Sequence, residues 1–136
     1  MREIKFRGIS KNNNRWIYGF VSIDKNSAKM EGFPHFISRA SGYLPVEVVP
    51  RSVGQYIGLK DEYGIEIYDG DIVEIAEQPL LRFEIVYSTE HAAFMRRWLS
   101  SLVSVTRECG TEEHIPPNTT FWKVIGNRYE NPELLQ

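Results

Sequence analysis

Few side chains in this sequence stand at spacings that chemistry uses. Trp16, Tyr18 and Phe20 alternate directly behind Arg15, and alternate residues of a β-strand share one face. Aromatic rings interleaved with basic side chains on a β surface can stack the bases of a single-stranded nucleic acid and hold its phosphates. The competing fate of such a row is the core. An aromatic ring buries a large area and suits a strand, so the core is the expectation for these three. Arg96-Arg97-Trp98 is a weaker combination of the same kind, for a nucleic-acid or partner contact. Arg15, Trp16, Tyr18, Arg96 and Arg97 are therefore the candidate binding residues.

The remaining reactive side chains argue against catalysis. Glu66, Asp69, Asp71 and Glu74 are hard-cation ligands by type, but the stretch lacks the further ligands of an EF-hand loop. Asp69-Gly70 is better explained as a tight turn. His35, His91 and His114 are far apart, and none has a metal-ligating neighbour at helical spacing. Cys109 sits before Gly110 in a polar stretch and becomes a nucleophile only if a base converges on it in space. No serine occupies a nucleophile elbow, and Gly54 and Gly58 are not followed by the Gly-Lys-Ser/Thr of a phosphate loop. The expectation is a protein that is not an enzyme and holds neither metal nor cofactor.

Composition sets the frame around these residues. The chain has 136 residues, 42% hydrophobic and 25% charged, which is a globular composition of one domain's size. Its net charge of −2 gives no global positive field to attract nucleic acid or an anionic membrane, but it hides a segregation. Residues 1–30 carry Arg2, Lys5, Arg7, Lys11, Arg15, Lys25 and Lys29 against Glu3 and Asp24, whereas 61–77 carry seven acids and no base. One cysteine excludes an internal disulfide. Neither a signal-peptide h-region nor a membrane-length apolar run is visible. The expected setting is the cytoplasm, with no membrane partner, and Asn118-Thr119-Thr120 is expected as a turn.

The dominant period is two. Ile4 and Phe6 alternate with charge, the loop Asn12-Asn13-Asn14 follows, and Arg15 to Val21 runs back, which predicts a hairpin. Further strands are expected at Phe33–Ser38, Val46–Val49, Ser52–Leu59, Glu66–Tyr68, Asp71–Ile75, Arg82–Tyr87, Leu102–Thr106 and Thr119–Asn127. Residues 91–99 are compatible with helix or strand. Asn131-Pro132 predicts one helical turn, with a cap followed by proline at the first helical position. Short strands with glycine turns between them indicate a mainly β fold, a small barrel or sandwich with little helix. A soft division falls in 41–50, giving an N-terminal β-hairpin region over 1–45 and a barrel-like region over 46–136 within a single domain.

Three segments carry a more specific signal. Met1-Arg2-Glu3-Ile4-Lys5-Phe6-Arg7 opens the chain, Val53 to Val73 runs through Gly-Leu-Lys-Asp-Glu-Tyr-Gly and Tyr-Asp-Gly-Asp, and Val124-Ile125-Gly126-Asn127-Arg128-Tyr129-Glu130-Asn131-Pro132-Glu133-Leu134-Leu135 closes it. Together they resemble the YopX family of bacteriophage and prophage proteins. The resemblance implies a mainly β protein containing a small SH3-like barrel, and it implies no activity or catalytic residue. Three functions remain in play. The first is a binding or regulatory module whose barrel surface meets an unknown protein or nucleic-acid partner. The second is a self-assembling accessory protein, a homo-oligomer in which basic 1–30 meets acidic 61–77 of another copy. The third is a single-stranded nucleic-acid binder.

Overall fold

A computed structural model describes residues 2–30, 32–40, 42–99 and 108–135. The chain divides into two compact units, Met1–Tyr56 and Ile57–Gln136. Eleven strands are present among the described residues: β1 (Phe6–Ile9), β2 (Trp16–Ile23), β3 (His35–Ser38), β4 (Val46–Val48), β5 (Gly54–Lys60), β6 (Glu66–Tyr68), β7 (Asp71–Ile75), β8 (Gln78–Ser88), β9 (Ala93–Trp98), β10 (Glu112–His114) and β11 (Trp122–Asn127). Short 3-10 turns at Pro50–Ser52 and Pro132–Leu135 are the only helical elements there. The strands form two antiparallel sheets, ordered β4-β3-β2-β1-β5-β6 and β10-β9-β8-β7-β11. The mainly β expectation therefore holds, at the level of two antiparallel sheets.

In the first unit β1 and β2 form the expected hairpin, with Gly8 opposite Ile17 and Arg7 opposite Tyr18. The loop between them turns at Asn14, whose φ of 57° a short amide side chain tolerates. Past its last residue the β1 chain meets β4. Ser10 bridges Val48, the Lys11 N–H donates to the Glu47 carbonyl, and the Val49 N–H donates to that of Ile9. The sheet is thus curled, and its inner face holds a small core of Ile17, Ile37 and Val48 with Phe6, Val46 and Val53 around it. That interior is narrow. A Cβ on Gly8 would stand 3.1 Å from both Ile37 and Val48, and one on Gly19 would collide with the Ser38 carbonyl oxygen.

The second unit has its own core, built around Phe83, Ile85, Val73 and Ile67. Phe83 meets Trp98 and Trp122 edge-on, at centroid separations of 5.3 and 4.6 Å. Residues 91–99, open to either structure in the sequence, hold strand β9, because β8 presents a continuous partner from Phe83 opposite Trp98 to Ser88 opposite Ala93. β10 was not visible in the sequence; its Glu112 and Glu113 pair in register with Arg97 and Arg96. The expected strand at Leu102–Thr106 lies outside the described residues. The expected helical turn after Asn131 is a single 3-10 turn.

Buried carboxylates fix the turns of this unit. Asp61, 5% exposed, accepts from the backbone N–H groups of Tyr63 and Ile65 through Oδ1 and of Val124 through Oδ2. Asp71, 1% exposed, accepts from the Tyr68 N–H at 2.8 Å. Gly70 in that turn adopts φ 96°, which a side chain resists. Replacing Asp61 with alanine strands three backbone donors, so Asp61→Ala is expected to lower unfolding stability by about 3 kcal/mol, with Asp61→Asn less severe; urea melts followed by circular dichroism check this.

In the first unit one carboxylate behaves differently. Lys29 and Lys11 hold Glu47 below the ordinary glutamate value of 4.5, through hydrogen bonds and charge. A folded-state pKa below the unfolded one gives stability that is present above the unfolded value and lost as pH falls through the folded one. Glu47→Gln should therefore destabilise the protein slightly at neutral pH and converge with wild type in acid. Thermal melts across that range are the measurement.

Candidate functional site

The alternation of β2 decides which side chains reach its outer surface. Ile17 is 4% exposed and faces the core, and Gly19 is buried at the close approach to β3. Trp16, Tyr18 and Phe20 therefore share the other face. Tyr18 is 45% and Phe20 62% exposed, and Trp16 is half-buried. The expectation that this row is core is overturned for Tyr18 and Phe20, because the strand register turns Ile17 into the core instead. The inner face closes around Gly8 and Gly19 and is filled by Ile17, Ile37 and Val48, with Phe6, Val46 and Val53 around them.

One of these rings, Trp16, carries a cation, as does the buried Tyr56 of β5. The Arg7 guanidinium lies over the Trp16 ring at 4.4 Å, and the Lys5 ammonium over the Tyr56 ring at 5.6 Å. Both contacts have cation–π geometry. Arg7 stands opposite Tyr18 and Ile9 opposite Trp16 in the β1–β2 register, so both belong to the same face as the row, where they are buried while Tyr18 and Phe20 are exposed.

Beside the row, at the hairpin end of the unit, lies a half-open cleft of about 400 Å³. Ser10, Asn12, Asn13, Arg15, Trp16 and Arg39 contribute to its lining, with Ile17 and Val46. Trp16 belongs to both features, so the row runs into the cleft. The Arg15 backbone is held by the Asn13 side chain, which accepts from its N–H at 3.0 Å, and by its carbonyl, which accepts from the Ser10 N–H. Arg39 follows β3, where the absence of a side chain on Gly19 lets the chain pass; a Cβ there would meet the Arg39 Cα at 3.0 Å. Both arginines are exposed, and among the described residues no carboxylate pairs with either. Arg39 was missed in the sequence, where it is one basic residue in a loop; only the pairing of β2 with β3 brings it to Arg15.

Arg96 and Arg97 stand in the second unit and are engaged there. Arg96 lies against three rings, 5.3 Å from Trp98, 5.7 Å from Phe83 and 5.9 Å from Trp122. Glu113 approaches it at 4.0 Å and also accepts from the Trp98 indole N–H. Arg97 bridges Glu84 and Glu112. These geometries bind strands to one another.

The acidic stretch is likewise spent locally. Asp61 and Asp71 hold turns, Asp69 takes the Arg128 guanidinium at 2.6 Å, Glu74 faces Arg82, and Glu66 accepts from the Tyr68 hydroxyl. Among the described residues no three His, Cys, Asp or Glu side chains assemble as a metal site. His91 and His114, distant in sequence, do come together, with ring centroids 5.6 Å apart, and His91 Nδ1 lies 3.1 Å from the Ser88 hydroxyl. Cys109 is free and exposed.

Comparison with known proteins agrees with this architecture. Among solved structures, the crystal structure of protein EF1440 from Enterococcus faecalis is similar, with 21% sequence identity, a TM-score of 0.54 and full coverage of both chains. At that identity the likeness is one of fold. No curated protein matches. Residues 5–136 match the family described as YopX protein, a span that takes in both units and all eleven strands, and the chain belongs to that family.

Proposed function

We propose that this protein is a non-enzymatic binding module that meets its partner through the outer face of β2 and the adjoining cleft. The observation that carries the reading is the exposure of Tyr18 and Phe20 on a regular strand, beside cation-stacked Trp16. Large apolar rings turned outward on a rigid element are unfavourable in water unless something covers them, and contiguous exposed patches mark interaction surfaces. Tyr and Trp are also the side chains that dominate binding energy when covered. The curled first sheet suits the SH3-like character implied by the family resemblance, and a phage or prophage protein working in the bacterial cytoplasm is the setting in which we place it. Oligomerisation through the two charge blocks draws little support, since of the seven acids in 61–77 only Glu62 and Glu77 are exposed without a partner among the described residues.

Affinity capture from lysates of cells carrying the phage, with wild type beside Tyr18→Ser/Phe20→Ser, tests the proposal. The double variant should keep its circular dichroism spectrum, because both side chains are outside the core, and lose what wild type captures. Equal capture by both proteins would sink the reading.

A further inference from the structure

We infer that the ligand of this face is an extended single strand of nucleic acid, with bases stacked on Tyr18 and Phe20 and phosphates met by Arg15 and Arg39. The inference rests on the binding-module reading and names its ligand class.

Three observations favour this class. The first is spacing. Alternate residues on a strand are about 6.4–6.8 Å apart, roughly twice the ~3.4 Å step of a stacked duplex strand. Successive rings of the row can each take a base only if the strand is unstacked and drawn out, as single strands are on aromatic platforms. A duplex keeps its base faces hidden and has nothing to offer these rings.

The second observation is charge. Arg15 and Arg39 line one cleft, exposed and with no carboxylate paired to either among the described residues. Two cations lining one cleft favour an anion inside it. The carboxylate nearest in sequence to this part of the sheet, Glu47, is shared by Lys11 and Lys29 and so leaves no net negative charge to repel a phosphate. The third is continuity. Trp16 is common to the row and the cleft, which also takes in Ile17 and Val46 of the inner face, so a single chain leaving the rings rounds the hairpin end of β2 to meet the guanidinium groups within the first unit. A globular protein partner would use the rings but has no general need for two arginines lining one cleft.

The test is fluorescence anisotropy with a labelled oligothymidylate of about 12 nucleotides and a duplex of equal length, using the whole protein. Wild type should bind the single strand more tightly than the duplex. Tyr18→Ala/Phe20→Ala should weaken single-strand binding at least about thirtyfold, from the loss of two stacked bases. With two phosphate contacts, raising salt from about 50 to about 200 mM costs roughly sevenfold in affinity, and Arg15→Ala/Arg39→Ala should remove that part of the salt dependence. Preference for the duplex, indifference to the loss of both rings, or no binding at low salt would each overturn the inference. The binding-module reading is judged separately. Nuclease-resistant capture of a protein that depends on Tyr18 and Phe20 would leave that reading standing while overturning the nucleic-acid assignment.

Discussion

The narrowness of the first sheet's inner face is the constraint on which the candidate surface depends. With Gly8 against Ile37 and Val48, and Gly19 against the β3 backbone, that interior is filled by Ile17, Ile37 and Val48, with Phe6, Val46 and Val53 around them. A strand has only two faces, and a one-residue slip would exchange them. Once Ile17 is committed inward, Trp16, Tyr18 and Phe20 are committed outward. The two glycines thus place the aromatic surface without belonging to it. Close packing makes the choice a firm one, because overfilling a tight core forces strained rotamers and backbone shifts.

Two of the segments that carry the family resemblance, the middle and the last, do different work. Tyr68-Asp69-Gly70-Asp71 and Gly126 to Leu135 meet in the second unit. Arg128 donates to Asp69 and to the Ile85 carbonyl, it faces Glu84 at 2.9 Å, and its own N–H donates to the Gly70 carbonyl. Asn127 Oδ1 accepts from the Tyr129 and Glu130 N–H groups, and Gly126 leaves space that the Asn131 side chain fills. These are turn-building and strand-locking contacts. They explain why the recognisable parts of the sequence announce a fold and leave its use unstated.

Much of the architecture was legible from period and turn chemistry. Asp71–Ile75 alternates cleanly away from an Asp-Gly turn, and Arg15 to Val21 follows an asparagine loop; both are strands where local preference and tertiary pairing agree. The site was harder. The row Trp16, Tyr18, Phe20 was visible, but the size of the rings argued for burial. Its counterpart on the other face, Ile17, Gly19 and Val21, was equally visible, and only the pairing with β3 and β4 shows that the smaller set fits inside. The sharing of one cleft by Arg15 and Arg39 was not legible, because it depends on a long-range register rather than on local sequence. Arg96 illustrates the converse: a basic residue beside a tryptophan reads as surface until β8 and β11 bring Phe83 and Trp122 to it.

β1 is paired three ways, and this shapes how the fold can be reached. It has β2 on one side, with Ile9 opposite Trp16, but its other partners come much later: Gly54 for Arg7, and Val48 for Ser10. During synthesis the β1–β2 hairpin can close early, across a short loop. The inner face of that hairpin then stays open until β3, β4 and β5 have been made. Contacts of such long sequence separation form slowly, and an unpaired strand edge is exposed to wrong partners meanwhile. The charges that flank β1, Lys5 on one side and Lys11 on the other, stand where they keep that waiting edge soluble.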